Sequence, residues 1–330
     1  MKQRLVFRLA TLVVAVFCLS GCLAGKYMVN YALLPEEHGN DLVGDRAKWE
    51  KWIPGIMDWY DSLHVAGVFK DTVITGCGGN RLHAVYAAAD APECSGRCSR
   101  CALAEPRGTA VLVHGYTDNH LCMMHLARMY RDSLGFNVLV LDHHFHGLSE
   151  GKSIQMGWLD RLDVEKWIEV AHDIFKDEML LVHGVSMGGA CTMMVSGDEL
   201  PEYVRGFVDD CGYTSVWNQF AKELKEGFHL PPFPVLTSAN IVCRHKYGWD
   251  FKEASSLDQL AKCTRPMLFI HGDSDDFVPT ADVYKNYEAK TQGYKDLWLA
   301  PDTAHAMSYI NHPAEYTQKV RGFIRVCAEK

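Results

Sequence analysis

A serine flanked by glycines stands out in the segment "LLVHGVSMGG", residues 180–189. Ser186 has Gly184 two positions before it and Gly188 two positions after it, and an apolar run precedes the group. A serine at a helix start is ordinarily an N-cap, but an N-cap requires neither glycine. The pattern fits a nucleophile elbow, a sharp strand-to-helix turn that holds a serine in a strained backbone conformation. We therefore predict that Ser186 is a nucleophile.

A serine hydroxyl needs a histidine that takes its proton and an acid that orients the histidine. The order expected after an elbow of this kind is serine, acid, histidine. His305 lies in "DTAHAMSY", after the last predicted strand, and satisfies both the order and the position at a strand end. His312, seven residues later, is a distant second choice.

The acid is ambiguous from the residues alone. The segment "HGDSDDFVP" contains Asp273, Asp275 and Asp276 directly after a predicted strand. Asp209 and Asp210 follow an earlier strand and are alternatives, since the acid can come from another loop. Surplus aspartates near a helix start usually serve as turn residues.

The candidate serine, histidine and acid can act together only if the fold brings the ends of their strands close to one another. Short apolar strands alternate with helical segments over most of the chain, which predicts a mostly parallel sheet with helices on both faces. "DTVIT" and "RLHAVYAAA" predict an opening hairpin. A helical, proline-containing insertion at about residues 212–265 interrupts the alternation and is expected to act as a lid. Sites form at the carboxyl ends of parallel strands, so the motifs should converge.

Over about residues 70–328 these motifs resemble the α/β-hydrolase superfamily, within its esterase and serine-aminopeptidase-like branch. The family pattern Gly-x-x-Asp-x-x-Val-Pro, placed on Gly272, Val278 and Pro279, selects Asp275 as the acid. The resemblance also implies that the backbone N–H groups of Tyr116 and Met187 form an oxyanion hole.

One position departs from the family pattern Asp-x-Arg-x-His-Gly. This chain has Asp142-His143-His144-Phe145-His146-Gly147, so His144 replaces the arginine and its ion pair should be weakened or absent. The three histidines are not expected to bind a metal, because neighbouring residues at a strand end point to opposite sides. Hydrogen bonding within the loop is the expected role.

The first 22 residues predict export. Three basic residues precede an apolar stretch from Leu9 to Leu19, and Leu-Ser-Gly-Cys22 looks like a bacterial lipoprotein processing site with lipidation of Cys22. An uncleaved signal anchor and a plain cleaved signal are the alternatives. Residues 23–70 are then a tether and an N-terminal helix, followed by the hydrolase domain at 71–330.

Ten cysteines remain after Cys18 and Cys22, and an exported chain permits disulfides. The dense cluster is Cys94, Cys98 and Cys101, for which a local disulfide, free thiols and zinc all stay open. Cys77, in the hairpin turn, should lie too far from this cluster to join it.

The composition limits the partners. The chain has a formal net charge of -8 and no basic stripe, which argues against nucleic acid. No dinucleotide or phosphate-loop motif is present, and we expect no cofactor. The expected partners are a small ester or a short peptide, and a membrane through an N-terminal lipid anchor.

Three functions follow from these observations. An exported serine carboxylesterase is the leading hypothesis. An aminopeptidase-like serine peptidase would need a fixed anion for the substrate amine, for which Glu223 and Glu226 in the insertion are conceivable. A lipoprotein that uses the fold only for binding would have no need of three reactive residues at separate strand ends.

Overall fold

The computed structural model describes residues 23–89 and 107–329. Eight strands form one sheet in the order β1-β2-β4-β3-β5-β6-β7-β8. They are β1 Lys70–Thr75, β2 Arg81–Ala87, β3 Thr109–Val113, β4 Asn137–Leu141, β5 Leu180–Val185, β6 Val204–Asp210, β7 Met267–Gly272 and β8 Lys295–Ala300. Strand β2 is antiparallel to β1 and β4, and all later pairs are parallel. The prediction of a mostly parallel sheet that opens with a hairpin is confirmed.

Helices cover both faces of this sheet. They are α1 (residues 23–33), α2 Leu42–Trp52, α3 Ile56–Val65, α4 Met124–Arg128, α5 Asp160–Phe175, α6 Met187–Val195, α7 Val216–Phe228, α8 Pro232–Tyr247, α9 Ser256–Leu260, α10 Thr280–Ala289, α11 Ser308–Asn311 and α12 Pro313–Ala328. A 3₁₀ turn, His120–Met123, precedes α4, and a π turn, Met129–Ser133, follows it.

The core forms two layers because strand side chains alternate between faces. Ala110 and Leu112 of β3 pack with α2, α3 and α12, whereas Val111 and Val113 pack with α5 and α6. The central strands β3, β4, β5 and β7 are buried on both faces, which explains why they appear in the sequence as nearly continuous apolar runs.

A third apolar cluster joins α1, α7 and α8. We call α7 and α8 together the cap. Helix α1 packs closely on the cap, since a Cβ on Gly25 would lie 2.7 Å from the backbone of Ser238 and Ala239. Helix α8 was not predicted, because prolines, which usually end helices, lie in its first turn. Pro232 stands in the first turn of α8, where a missing N–H removes no intrahelical bond.

Several sequence predictions fall outside the described residues: the export segment 1–22 with Cys22, and the cluster Cys94, Cys98 and Cys101. Among the residues that are described, Cys77 is exposed and the other six cysteines are buried. Over 23–89 and 107–329, no helix has the length and apolarity that crossing a membrane requires.

Candidate active site

Ser186 occupies a strained turn between β5 and α6. Its φ and ψ are 57° and -116°, and its side chain makes no capping hydrogen bond to α6. The flanking glycines are required by close approach. A Cβ on Gly184 would lie 2.0 Å from the Gly188 carbonyl oxygen, and a Cβ on Gly188 would lie 2.0 Å from the Val113 carbonyl oxygen. The turn therefore presents the hydroxyl instead of using it as an N-cap.

Two hydrogen bonds connect Ser186 to a histidine and a carboxylate. Ser186 Oγ lies 2.8 Å from His305 Nε2, and His305 Nδ1 lies 2.7 Å from Asp275 Oδ2. The Asp275 side chain is fully buried, while 19 % of the His305 side chain remains exposed. An imidazole held in this way can accept the serine proton at Nε2 while Nδ1–H donates to the carboxylate.

The surroundings of Asp275 favour its charged form. Its Oδ1 accepts the N–H groups of Phe277 and Val278 at 3.0 Å each, and His271 Nε2 lies 3.3 Å from Oδ2. Burial by itself would raise the pKa of Asp275, but the hydrogen bonds from His271 and His305 lower that pKa to about 2. The sequence did not lead us to predict a role for His271, although this residue directly precedes Gly272 in the segment "HGDSDDFVP".

The other sequence candidates have different partners. Asp273 accepts from Ser274 Oγ at 3.0 Å, and Asp209 accepts the Gly212 N–H at 3.0 Å. Asp210 accepts from Tyr316 Oη at 2.9 Å. The ring of His312 lies 2.8 Å from the Pro301 carbonyl oxygen. Asp276 is exposed. The structure thus brings Ser186 together with His305 and Asp275.

Tyr116 and Met187, whose amides are predicted to form an oxyanion hole, line the same cavity as Ser186. Met187 is the first residue of α6, where backbone N–H groups have no intrahelical acceptor. Tyr116 follows β3 and Gly115, and a Cβ on Gly115 would lie only 3.4 Å from Ser186 Cβ. The turns that carry the two amides are therefore adjacent.

Asp142, the first residue of the Asp-x-Arg-x-His-Gly pattern, binds two histidines. His83 Nδ1 lies 2.8 Å from Asp142 Oδ2, and His120 Nδ1 lies 3.0 Å from both carboxylate oxygens. The N–H groups of His120 and Leu148 also donate to this carboxylate. Burial opposes the charge, but His120 and His83 hold the pKa of Asp142 well below its usual range. The arginine position of the pattern is His144, and the partners of Asp142 are histidines from distant segments.

The rings of two loop histidines, His144 and His146, make local hydrogen bonds, as expected. His144 Nε2 accepts the Lys152 N–H at 3.2 Å, and His146 Nδ1 lies 2.9 Å from the His144 carbonyl oxygen. The backbone N–H of His143 donates to His114 Nε2 at 2.9 Å.

Two groups of the described residues bring three metal-ligating atoms within reach of one ion. They are His83, His120 and Asp142, and Cys211, Asp275 and His305. Hydrogen bonds account for the first group, because four N–H groups already converge on one carboxylate. In the second group, burial raises the pKa of the Cys211 thiol well above its ordinary value, which disfavours the thiolate that a metal requires.

A cavity of about 730 Å³ opens beside Ser186 and is lined by α1, α7 and α8. Most of its wall is apolar and includes Met28, Phe220, Leu236 and Phe277. Glu223 also lines the cavity, but Gln219 Nε2 and Lys222 Nζ lie 3.0 and 3.3 Å from its carboxylate. The contribution of α1 was not foreseen, since the sequence suggested only a tether and a helix there.

Known proteins are similar to this chain in sequence. The family model for serine aminopeptidase, S33, matches residues 104–230. The uncharacterized protein YqkD of Bacillus subtilis is 31 % identical over 217 residues, which span 66 % of this chain and 70 % of that protein. A monoacylglycerol lipase of Mycolicibacterium smegmatis is 26 % identical over 208 residues, 54 % of this chain and 73 % of the lipase.

The fold also matches solved structures. The esterase Pf2001 of Pyrococcus furiosus superimposes with a TM-score of 0.59 at 21 % identity, over 78 % of this chain and 91 % of the esterase. The sheet order, the matching family model and the level of identity to YqkD agree with the resemblance inferred from the motifs, which is confirmed. The chain belongs to the α/β-hydrolase superfamily.

Proposed function

We propose that this protein is a serine hydrolase that cleaves carboxylic esters with an apolar acyl group. The observation that carries the proposal is the pair of hydrogen bonds that connects Ser186 Oγ through His305 to Asp275, at the edge of an apolar cavity. A solvent-accessible histidine next to a strained serine has little structural purpose, whereas acyl transfer requires this arrangement.

In the proposed reaction, Ser186 Oγ attacks the ester carbonyl carbon as His305 Nε2 takes its proton. The backbone N–H groups of Tyr116 and Met187 donate to the oxyanion, each contributing about 3 kcal/mol. When the tetrahedral intermediate collapses, His305 returns the proton to the departing alcohol. Water then attacks the acyl-enzyme with His305 as general base, and acid and free Ser186 are released.

The substrate class follows from the cavity wall. An acyl chain that enters between α1 and the cap would be removed from water, and each buried methylene contributes about 0.8 kcal/mol. The value of kcat/KM should therefore rise about fourfold per methylene until the cavity is filled. The monoacylglycerol lipase among the relatives is consistent with such a preference.

An aminopeptidase-like activity is the second candidate, since Glu223 lines the cavity and could meet a substrate amine. Lys222 already neutralises part of that charge, and Glu226 binds the same lysine at 2.6 Å. Hydrolysis of 4-nitrophenyl esters of increasing length, compared with aminoacyl-4-nitroanilides, separates the candidates. Hydrolysis of the anilides without hydrolysis of the esters would refute the proposed esterase activity.

We also propose that the chain is exported and held at a membrane by a lipid on Cys22. The support is the basic and apolar pattern of residues 1–22. Metabolic labelling with a radioactive fatty acid should mark the wild type and not Cys22→Ser. Equal labelling of both would refute lipidation at this cysteine.

A further inference from the structure

An apolar stripe runs along the solvent side of α1. Leu23, Tyr27 and Tyr31 are four residues apart and therefore lie on one helix face. All three are exposed, with 62 % of Tyr27 accessible, while Val29 and Leu33 on the opposite face are buried. Leu230, in the loop between α7 and α8, and Phe233, in the first turn of α8, are also exposed, and 70 % of Phe233 is accessible.

Ring contacts connect these two segments. Tyr27 stacks on Tyr31 with 6.4 Å between ring centroids, and Tyr31 meets the edge of Phe228 at 5.3 Å. Phe228 stands two residues before Leu230. We refer to Leu23, Tyr27, Tyr31, Leu230 and Phe233 as the mouth patch. Exposed apolar groups gathered in this way mark an interaction surface more often than chance.

The mouth patch continues into the cavity. Tyr31 and Phe228 contribute to the patch side and also line the cavity beside Ser186. The patch and the cavity wall therefore adjoin at Tyr31 and Phe228.

The sequence before the patch indicates what covers it. The apolar stretch from Leu9 to Leu19 and Cys22 directly precede Leu23, the first helical residue of the patch. A lipid on Cys22, or an apolar anchor, would place the start of α1 at the bilayer surface. Lys26 is exposed on the same helix, and Lys246 Nζ lies 3.3 Å from Asn30 Oδ1, so one positive charge lies on α1 and another beside it. Tyrosine, phenylalanine and lysine in this arrangement suit an anionic membrane interface.

We infer that the mouth patch docks on the surface of a lipid bilayer and that the cavity receives its acyl ester from that bilayer. This inference rests on the proposed esterase function. The occupant is the membrane, and the substrate class is a membrane-borne acyl ester with one chain in the cavity.

The test compares two substrates on one protein. The full chain is reconstituted in vesicles of phosphatidylcholine and phosphatidylglycerol, and hydrolysis of vesicle-borne 4-nitrophenyl palmitate is measured beside that of dissolved 4-nitrophenyl butyrate. Tyr27→Asp/Phe233→Asp changes two patch residues that do not line the cavity. Val65→Asp/Tyr284→Asp is the matched control, since both of its residues are exposed outside the patch.

The patch variant should lose about tenfold in palmitate hydrolysis, because the charges prevent the mouth from meeting the bilayer. Its kcat/KM for butyrate should stay within about twofold, and the control should change neither rate. Tyr27→Trp/Phe233→Trp, which keeps interfacial side chains, should retain palmitate hydrolysis.

Equal losses on both substrates, or no loss on palmitate, would overturn the docking. Dissociation of a dimer by the patch variant, measured by light scattering with palmitate hydrolysis intact, would instead assign the patch to a second copy of the chain. A different result would refute the esterase proposal itself: the Ser186→Ala variant would hydrolyse 4-nitrophenyl butyrate as fast as the wild type.

Discussion

Asp275→Asn is the most informative single substitution, since the sequence offered several carboxylates for one role. In the structure, Asp275 Oδ2 holds His305 Nδ1 at 2.7 Å, and Oδ1 accepts two backbone N–H groups. Asparagine keeps the size of the side chain but removes its charge. Its NH₂ group can also donate to His305 Nδ1, which would leave the proton on Nε2.

The expected loss has two parts. Burial raises the pKa of Asp275 and its histidine partners lower it, with a net change from 3.8 to about 2. The charged carboxylate also stabilises the imidazolium that forms on His305 when Ser186 loses its proton, and asparagine cannot do this. The side chain is fully buried, so solvent does not screen this interaction. The wrong tautomer of His305 adds to the loss, because Nε2–H cannot accept the Ser186 proton. Together they should lower kcat by on the order of 10⁴-fold.

The assay is steady-state hydrolysis of 4-nitrophenyl butyrate, with Asp273→Asn and Asp276→Asn as matched controls from the same loop. Both controls should keep kcat within about threefold, because neither carboxylate bonds to His305 in the structure. A kcat of Asp275→Asn within tenfold of wild type, or an equal loss in either control, would refute this assignment.

Three further predictions concern stability. Gly188→Ala should lower the free energy of unfolding by about 3 kcal/mol in urea denaturation, because its Cβ would lie 2.0 Å from the Val113 carbonyl oxygen. His83→Ala should cost about 3 kcal/mol by leaving Asp142 partly unpaired, and adding Asp142→Asn should cost less than the sum of the single changes. Burial raises the pKa of Asp160 to about 8, so its folded form holds a proton that the unfolded chain releases above pH 4. Wild-type stability should therefore fall relative to Asp160→Asn by about 1.4 kcal/mol per pH unit between pH 5 and 7.5.

Each of these has a clear contrary outcome. A Gly188→Ala protein with unchanged stability would mean that the elbow does not need close packing on β3. If the losses in unfolding free energy from His83→Ala and Asp142→Asn add up in the double variant, the two side chains are not energetically coupled. Parallel pH profiles of wild type and Asp160→Asn would show that the buried carboxyl does not titrate in this range.

The sheet and the residues at its strand ends could be predicted because their signals are local. Continuous apolar runs identify strands that are buried on both faces, and Gly184 and Gly188 mark a turn without space for a Cβ. Asp275 required the spacing to Val278 and Pro279, since three aspartates in one loop are equivalent by composition. That spacing places the carboxylate where two backbone N–H groups can hold it.

Other features depend on contacts between distant segments. His83 and Asp142 are 59 positions apart in the sequence, and no local pattern around either residue indicates that their side chains are in contact. Helix α8 escaped prediction because prolines that usually end helices here stand at its start. The role of α1 in the cavity wall arises from packing of Gly25 against α8, more than 200 residues later in the chain, which a pass along the sequence cannot detect.

Labelling with a fluorophosphonate probe tests the central claim most directly, because the probe reacts with a serine only when a neighbouring base activates it. The folded wild-type protein should become labelled at Ser186, which peptide mass spectrometry identifies, and Ser186→Ala should remain unlabelled. Absence of labelling in folded wild-type protein, or equal labelling of Ser186→Ala, would contradict the proposal that Ser186 is the nucleophile of a serine hydrolase.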